Sequence, residues 1–298
     1  MATRRAVSIV EYPVPGADNG PYGITAGPDG AMWFTEIHRG RIGRITQDGH
    51  VTSHRLDDEQ GRPAGITAGP DGAVWFTESE RHQINRITAD GLRTFDVPTE
   101  ESGPFGITTG PDGALWFTEM NVSRVGRITT SGETSDFALP ATGMFPAMIA
   151  AGADGALWCT LNAAHAIARV ATDGAVTVHP LPTGDAGPVG ITAGTDGALW
   201  FAEINAGQVG RITTDGAVTE FPLPDREARP HAIAADPAGG CWFTEWAANR
   251  IGHVDGDGNV ETYDLPTASS EPHGIAVDAD GAVWVAQEIG SIARLTRV

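Results

Sequence analysis

The sequence predicts an all-β chain folded as a seven-bladed β-propeller with four-stranded blades, the N-terminal strand completing the last blade. Three observations carry this. Tryptophan recurs at Trp33, Trp75, Trp116, Trp158, Trp200, Trp242 and Trp284, each 41 or 42 residues after the last, and only Trp246 lies outside the series. A proline keeps the same step at Pro21, Pro63, Pro104, Pro146, Pro188, Pro230 and Pro272. Each unit holds four short β-like runs, and a period near forty with four such runs indicates propeller blades.

The unit around Trp200 shows the elements in order. "PVGITAG" (188–194) is a short apolar run closed by a "TDG" turn. "ALWFAE" (198–203) alternates and is aromatic, "QVGRITT" (208–214) follows, and after "DG" comes "AVTEFPLP" (217–224). Asp-Gly between alternating runs signals a hairpin, because glycine tolerates the positive φ of a tight turn. Apolar residues do not recur at three and four, so helical solenoids of similar period are rejected. After Trp284 the chain supplies "SIARLTRV" and lacks the fourth run, whereas "SIVEYPVP" (8–15) matches it. Pairing the two closes the ring and removes an open edge.

Length alone suggests two domains for 298 residues, but the repeat makes residues 1–298 a single one. A net charge of −19 repels phosphate backbones and anionic lipid, so neither nucleic acid nor membrane is an expected partner. Many of the acids belong to repeated "DG" turns and are expected to form a solvated surface. Cys159 and Cys241 fall at different offsets beside their tryptophans, as packing residues do and bridged or metal-binding pairs do not. The opening "MATRRAVSIVEYPVP" lacks an apolar run of leader length and no segment could span a bilayer, so a cytoplasmic monomer is expected.

The copies also disagree with one another, and the disagreements cluster. The slot after the repeated proline reads Tyr22, Ala64, Phe105, Ala147, Val189, His231 and His273; the slot before it reads Gly20, Arg62, Gly103, Phe145, Gly187, Arg229 and Glu271. The second run ends in "WFTE" or "WFAE" in five copies but in "WVAQE" in the seventh, which adds Glu288 one position beyond the usual acid. In a propeller the start of the first strand and the end of the second share one face. His231, His273, Glu271 and Glu288 are therefore expected together, with Tyr22 brought alongside by ring closure. The recurring acids Glu36, Glu78, Glu119, Glu203 and Glu245 read as blade architecture. Trp246 reads either as surface packing or as a wall for an apolar ligand. His38, His50, His54, His82, His165, His179 and His253 show no such grouping and read as surface or structural residues.

Two carboxylates plus water suit Mg²⁺, which keeps much of its hydration. Zinc would want three or four His or Cys ligands at close spacing, and no such set is evident. An imidazole two residues from Glu271 is suited to removing a proton near neutral pH. No "GxSxG" elbow or nucleophilic cysteine arrangement occurs, which disfavours covalent hydrolysis. The residues by themselves therefore point to metal-assisted proton abstraction or hydrolysis.

"GPYGIT" (20–25), "ARPHAI" (228–233), "EPHGI" (271–275) and "WVAQE" (284–288), with "WFTEMN", "IGRIT" and "TEFPLP" elsewhere, resemble the virginiamycin B lyase family over nearly the whole chain. The resemblance implies a lyase that linearises cyclic depsipeptide antibiotics of the streptogramin B type at their ester, and so confers resistance. It implies His273 as general base, Glu271 and Glu288 as Mg²⁺ ligands, and His231 and Tyr22 as substrate contacts. The stretch "AVDADGAVWVAQ" departs from the family pattern by one residue, which makes Gln287 the alternative to Glu288. Two other functions remain open: a metal-dependent lactone or ester hydrolase, and a non-catalytic propeller that binds a ligand on the same face.

Overall fold

A computed structural model describes residues 6–16 and 18–298, which fold as seven antiparallel sheets of four strands each. The two arginines of the opening "MATRR", and the leader reading that turns on them, lie outside the described residues. Six blades take their strands in chain order. The seventh takes Pro272–Val277, Val283–Gln287 and Ser291–Arg297 and is completed by Val7–Pro13. The closing pair runs antiparallel from Val7 opposite Arg297 to Pro13 opposite Ser291. Side chains stitch the seam as well, since Glu11 accepts hydrogen bonds from Gln287 Nε2 (2.9 Å) and Thr267 Oγ1 (2.6 Å). The predicted ring and its closure are both present.

The core lies between blades. The second strand of each blade is covered on both faces, as in Leu199–Glu203, where all five residues are buried. The repeated tryptophan is locked in place: Trp200 Nε1 donates to Asp196 Oδ1 (3.3 Å) while Arg211 Nε donates to Asp196 Oδ2 (2.7 Å). Asp29, Asp71, Asp112 and Asp154 hold their tryptophans in the same way. These turn acids are exposed, as expected of a solvated surface, and they serve as struts as well. Burial alone would raise the Asp196 carboxyl, but Arg211 and Trp200 outweigh it and hold it below the usual range. Cys159 and Cys241 are free and buried.

Near the channel each first strand carries a register shift just after its proline, as between Pro272 and Ile275. Threonine hydroxyls bridge blades at this level. Thr244 Oγ1 accepts from Ala232 N–H (3.0 Å) and donates to the carbonyl of His273 in the next blade (2.9 Å). The blades meet closely here: a Cβ added to Gly274 would lie 2.3 Å from the carbonyl oxygen of Tyr22. That approach needs glycine, and it presses the channel residues of blades 7 and 1 together.

The acids that end the second strands are buried, as expected of blade architecture, and they make stability depend on pH. Glu203 accepts one hydrogen bond, from Gln208 Nε2 (2.7 Å), and its Oε1 is buried without a partner. Burial, only partly offset by Gln208 and reinforced by Glu220, pushes its carboxyl up to about 8. The folded chain then holds this proton more tightly than the unfolded chain does. Stability is fully present below the ordinary glutamate range and falls as pH rises towards about 8. The Glu203→Gln protein is expected to melt a few degrees above the parent at about pH 9 and to lose that advantage at about pH 5. Thermal melts at both values check it.

Candidate functional site

Three rings of equivalent residues surround the channel mouth, and their backbone geometry explains why the odd side chains converge. The residue before each repeated proline has a left-handed φ, +52° at Glu271 and +50° at Arg229. Its carbonyl accepts the N–H of the residue just beyond the second strand: Trp246 N–H reaches Arg229 O (3.1 Å), and Glu288 N–H reaches Glu271 O (3.0 Å). Glu288 and Trp246 thus occupy one slot in neighbouring blades, where blades 1 to 5 carry Ile37, Ser79, Met120, Asn162 and Ile204.

This register separates Glu288 from Gln287. Gln287 takes the buried slot of the blade acids and is fully enclosed. Its Nε2 donates to Glu11 Oε1 (2.9 Å) and Ser270 Oγ (2.9 Å), and its Oε1 accepts from Ser291 Oγ (2.7 Å). Glu288 emerges at the rim, where its carboxylate pairs with His273 Nε2 through Oε2 and with His38 Nε2 through Oε1 at 2.8 Å.

His273 is the hub of the cluster. Its ring centroid lies 4.7 Å from that of Tyr22 and 4.7 Å from that of His231, the latter edge-on at 88°. The Trp246 ring stands 6.4 Å away, so this extra tryptophan walls the site. His273 Nδ1 and His231 Nδ1 are both buried with no hydrogen-bond partner among the described residues. Below them the channel is floored by Ile24, Ile66, Met148, Ile191, Ile233 and Ile275.

Low polarity around the rings sets their charge. Burial, followed by the neighbouring His273, lowers His231 to about 3, so it is a neutral imidazole. Burial and then the Glu288 charge push the Tyr22 phenol up, leaving a neutral hydroxyl. The bond from His273 holds Glu288 below the usual carboxylate range, against burial and with help from His38. Glu271 is exposed, and its carboxylate makes no hydrogen bond or ion pair among the described residues. It joins the cluster through its backbone.

His38 was grouped with surface or structural histidines, and the structure places it in the site. Ring closure sets the turn after the second strand of blade 1 beside Glu288, and a Cβ on Gly20 would touch the His38 ring at 2.7 Å. Residue type alone does not single it out, because blades 2 and 4 carry His82 and His165 in the same turn, where they accept the N–H groups of Gly103 (3.1 Å) and Gly187 (3.2 Å) instead. The other histidines are outside the cluster: His253 pairs with Asp236 (2.9 Å), and His179 stacks on Trp158.

The donor set suits a hard cation. Glu271 and Glu288 stand on backbone segments joined by a hydrogen bond, and two carboxylates are what a largely hydrated Mg²⁺ requires. No group of three or more His, Cys, Asp or Glu among the described residues could hold a metal ion, so a cation here would draw on the two carboxylates and water.

Residues 7–295 match the model of the virginiamycin B lyase family. A selenomethionine-substituted virginiamycin B lyase from Staphylococcus aureus superposes with a TM-score of 0.94 at 42% identity, over 98% of this chain and all of that one. A catalytically inactive histidine-to-alanine form of that Staphylococcus aureus enzyme, solved with quinupristin, matches equally well, with a TM-score of 0.94 and 42% identity over 98% of this chain and 100% of that one. The virginiamycin B lyase of Saccharopolyspora erythraea is 58% identical over 57 residues, a segment that is 19% of this chain and 19% of that relative.

Proposed function

The chain belongs to the virginiamycin B lyase family, a family of lyases by name, and on that premise we propose that it inactivates streptogramin B antibiotics by opening their ring at the ester. The single observation that carries this reading is the contact of His273 with Glu288, Tyr22 and His231 at one rim of the channel. The finer proposal is elimination without water. The imidazole of His273 takes the α-proton of the threonine whose oxygen forms the ester. The Cα–H electron pair becomes a Cα=Cβ double bond, the Cβ–O bond breaks, and the carboxylate departs.

Each neighbouring group has a defined task. Glu288 holds the His273 ring and favours the imidazolium that forms, because an adjacent carboxylate stabilises that charge. His231, neutral at working pH, offers the substrate a hydrogen bond without competing for the proton. Tyr22 and Trp246 present ring faces to an apolar substrate, and their bulk keeps water from the reacting atoms. Glu271 and Glu288 would hold Mg²⁺, which when bound supplies Lewis-acid stabilisation of negative charge developing on a substrate carbonyl.

Incubation with quinupristin and Mg²⁺ is expected to consume the ring, give one linear product and abolish antibacterial activity. Chelation should stop this and added Mg²⁺ restore it. A ring left intact would overturn the reading, and activity untouched by exhaustive chelation would remove the metal from it.

A further inference from the structure

The slot before the repeated proline is left-handed in every blade, with φ of +63°, +58° and +58° at Gly20, Gly103 and Gly187, and +51°, +54°, +50° and +52° at Arg62, Phe145, Arg229 and Glu271. Glycine enters that region freely, whereas a side chain is strained there. The fold has a relaxed solution and uses it in three blades. In these, the following loop lays a side chain over the glycine: a Cβ on Gly20, Gly103 or Gly187 would meet His38, Asn121 or Asn205 at 2.7, 2.5 or 2.6 Å.

Four blades forgo that solution. In blades 4 and 6 the covering loop positions shrink to Ala163 and Ala247, and Phe145 and Arg229 stand in solvent. Phe145 is 41% exposed, one of few large apolar side chains so placed among the described residues. Arg229 makes no hydrogen bond or ion pair among the described residues. Among the described residues Arg62 has only a 3.8 Å ion pair with exposed Glu80, and it lines a cleft of about 610 Å³ that also includes His38. The fourth residue of the set is Glu271, already placed in the site. The same conformation recurs at His82, Ser123, His165 and Asn249, but there the side chain accepts a backbone N–H, from Gly103, Met144, Gly187 and Ser270 in turn. Strain kept at four points of one rim with little packing or pairing in return marks contact with a ligand.

We propose that Arg62, Phe145 and Arg229 hold the depsipeptide ring over the channel mouth and set which rings the enzyme accepts, an inference that rests on the lyase reading. The Phe145 ring packs against an apolar or aromatic side chain of the substrate. The two guanidinium groups donate to carbonyls around the macrocycle, whose peptide and ester groups supply acceptors. Glu271 and the histidines act on the ester held between them.

Glycine is the natural test, because blades 1, 3 and 5 show that it folds there. Phe145→Gly and Arg229→Gly are each expected to raise Tm slightly, to raise KM for quinupristin about fivefold or more, and to leave kcat within about twofold. Phe145→Tyr is expected to keep the parent KM. In a His273→Ala background, Kd for quinupristin should rise by a factor similar to that in KM. Unchanged KM and Kd would overturn the inference, as would a raised KM accompanied by a lowered Tm, which would mark these side chains as structural. A parent protein that leaves quinupristin intact would sink the lyase reading instead, while Kd in the His273→Ala background would still report on these three side chains.

Discussion

Replacing His273 by alanine is expected to lower kcat by about 10²- to 10⁴-fold, the usual contribution of a positioned general base, with little change in Tm. The structure explains why the fold survives. The His273 side chain donates nothing that another group needs for folding, since its Nδ1 is unpartnered and its Nε2 meets only Glu288. What pins this strand is the bond from Thr244 Oγ1 to the His273 carbonyl, and the backbone supplies that for any residue. Binding should largely persist through Tyr22, His231 and Trp246. Steady-state kinetics beside a thermal melt checks the expectation, and full turnover by this variant would remove His273 from the mechanism.

Glu288→Gln is the second large effect. Glutamine keeps the volume and removes the charge, so it abolishes the ion pairs to His273 and His38 together. Loss of the acid should leave the His273 ring less firmly oriented, and should remove one of two proposed oxygen ligands. We expect kcat to fall about 10²-fold or more and Mg²⁺ affinity to fall at least about tenfold, the scale on which groups supporting a catalytic or metal site act. Isothermal titration with Mg²⁺ reads the second effect independently of turnover. Retained Mg²⁺ affinity would take Glu288 out of the ligand set.

Much of this was legible in the chain because the repeat supplies its own internal comparison. The tryptophan and proline steps define seven blades, and the missing fourth run after Trp284 shows where Val7–Pro13 must pair. The cluster of His231, His273, Glu288 and Tyr22 follows from their slots, since equivalent slots in a closed ring face one opening. Other features depended on side-chain direction, which slots do not specify. Gln287 and Glu288 are adjacent in sequence but point to opposite environments, one enclosed by Glu11, Ser270 and Ser291, the other at the rim. His38 could not be told from other turn histidines without the contact that ring closure creates. Asp196 and its equivalents in blades 1 to 4 are solvated as composition suggests, but composition does not show that each holds a tryptophan and an arginine. Nor does sequence show that the slot of Arg62, Phe145 and Arg229 is left-handed, or that these side chains, unlike His82, Ser123, His165 and Asn249 at the same φ, receive no backbone N–H in return.

The central claim is that His273 drives elimination, and the mass of the opened antibiotic tests it most directly. Quinupristin treated with the protein and Mg²⁺ should give a linear product of the same mass as the ring, carrying a dehydro residue in place of the ester-linked threonine. A product heavier by one water, with threonine intact, would contradict the account and identify a hydrolase.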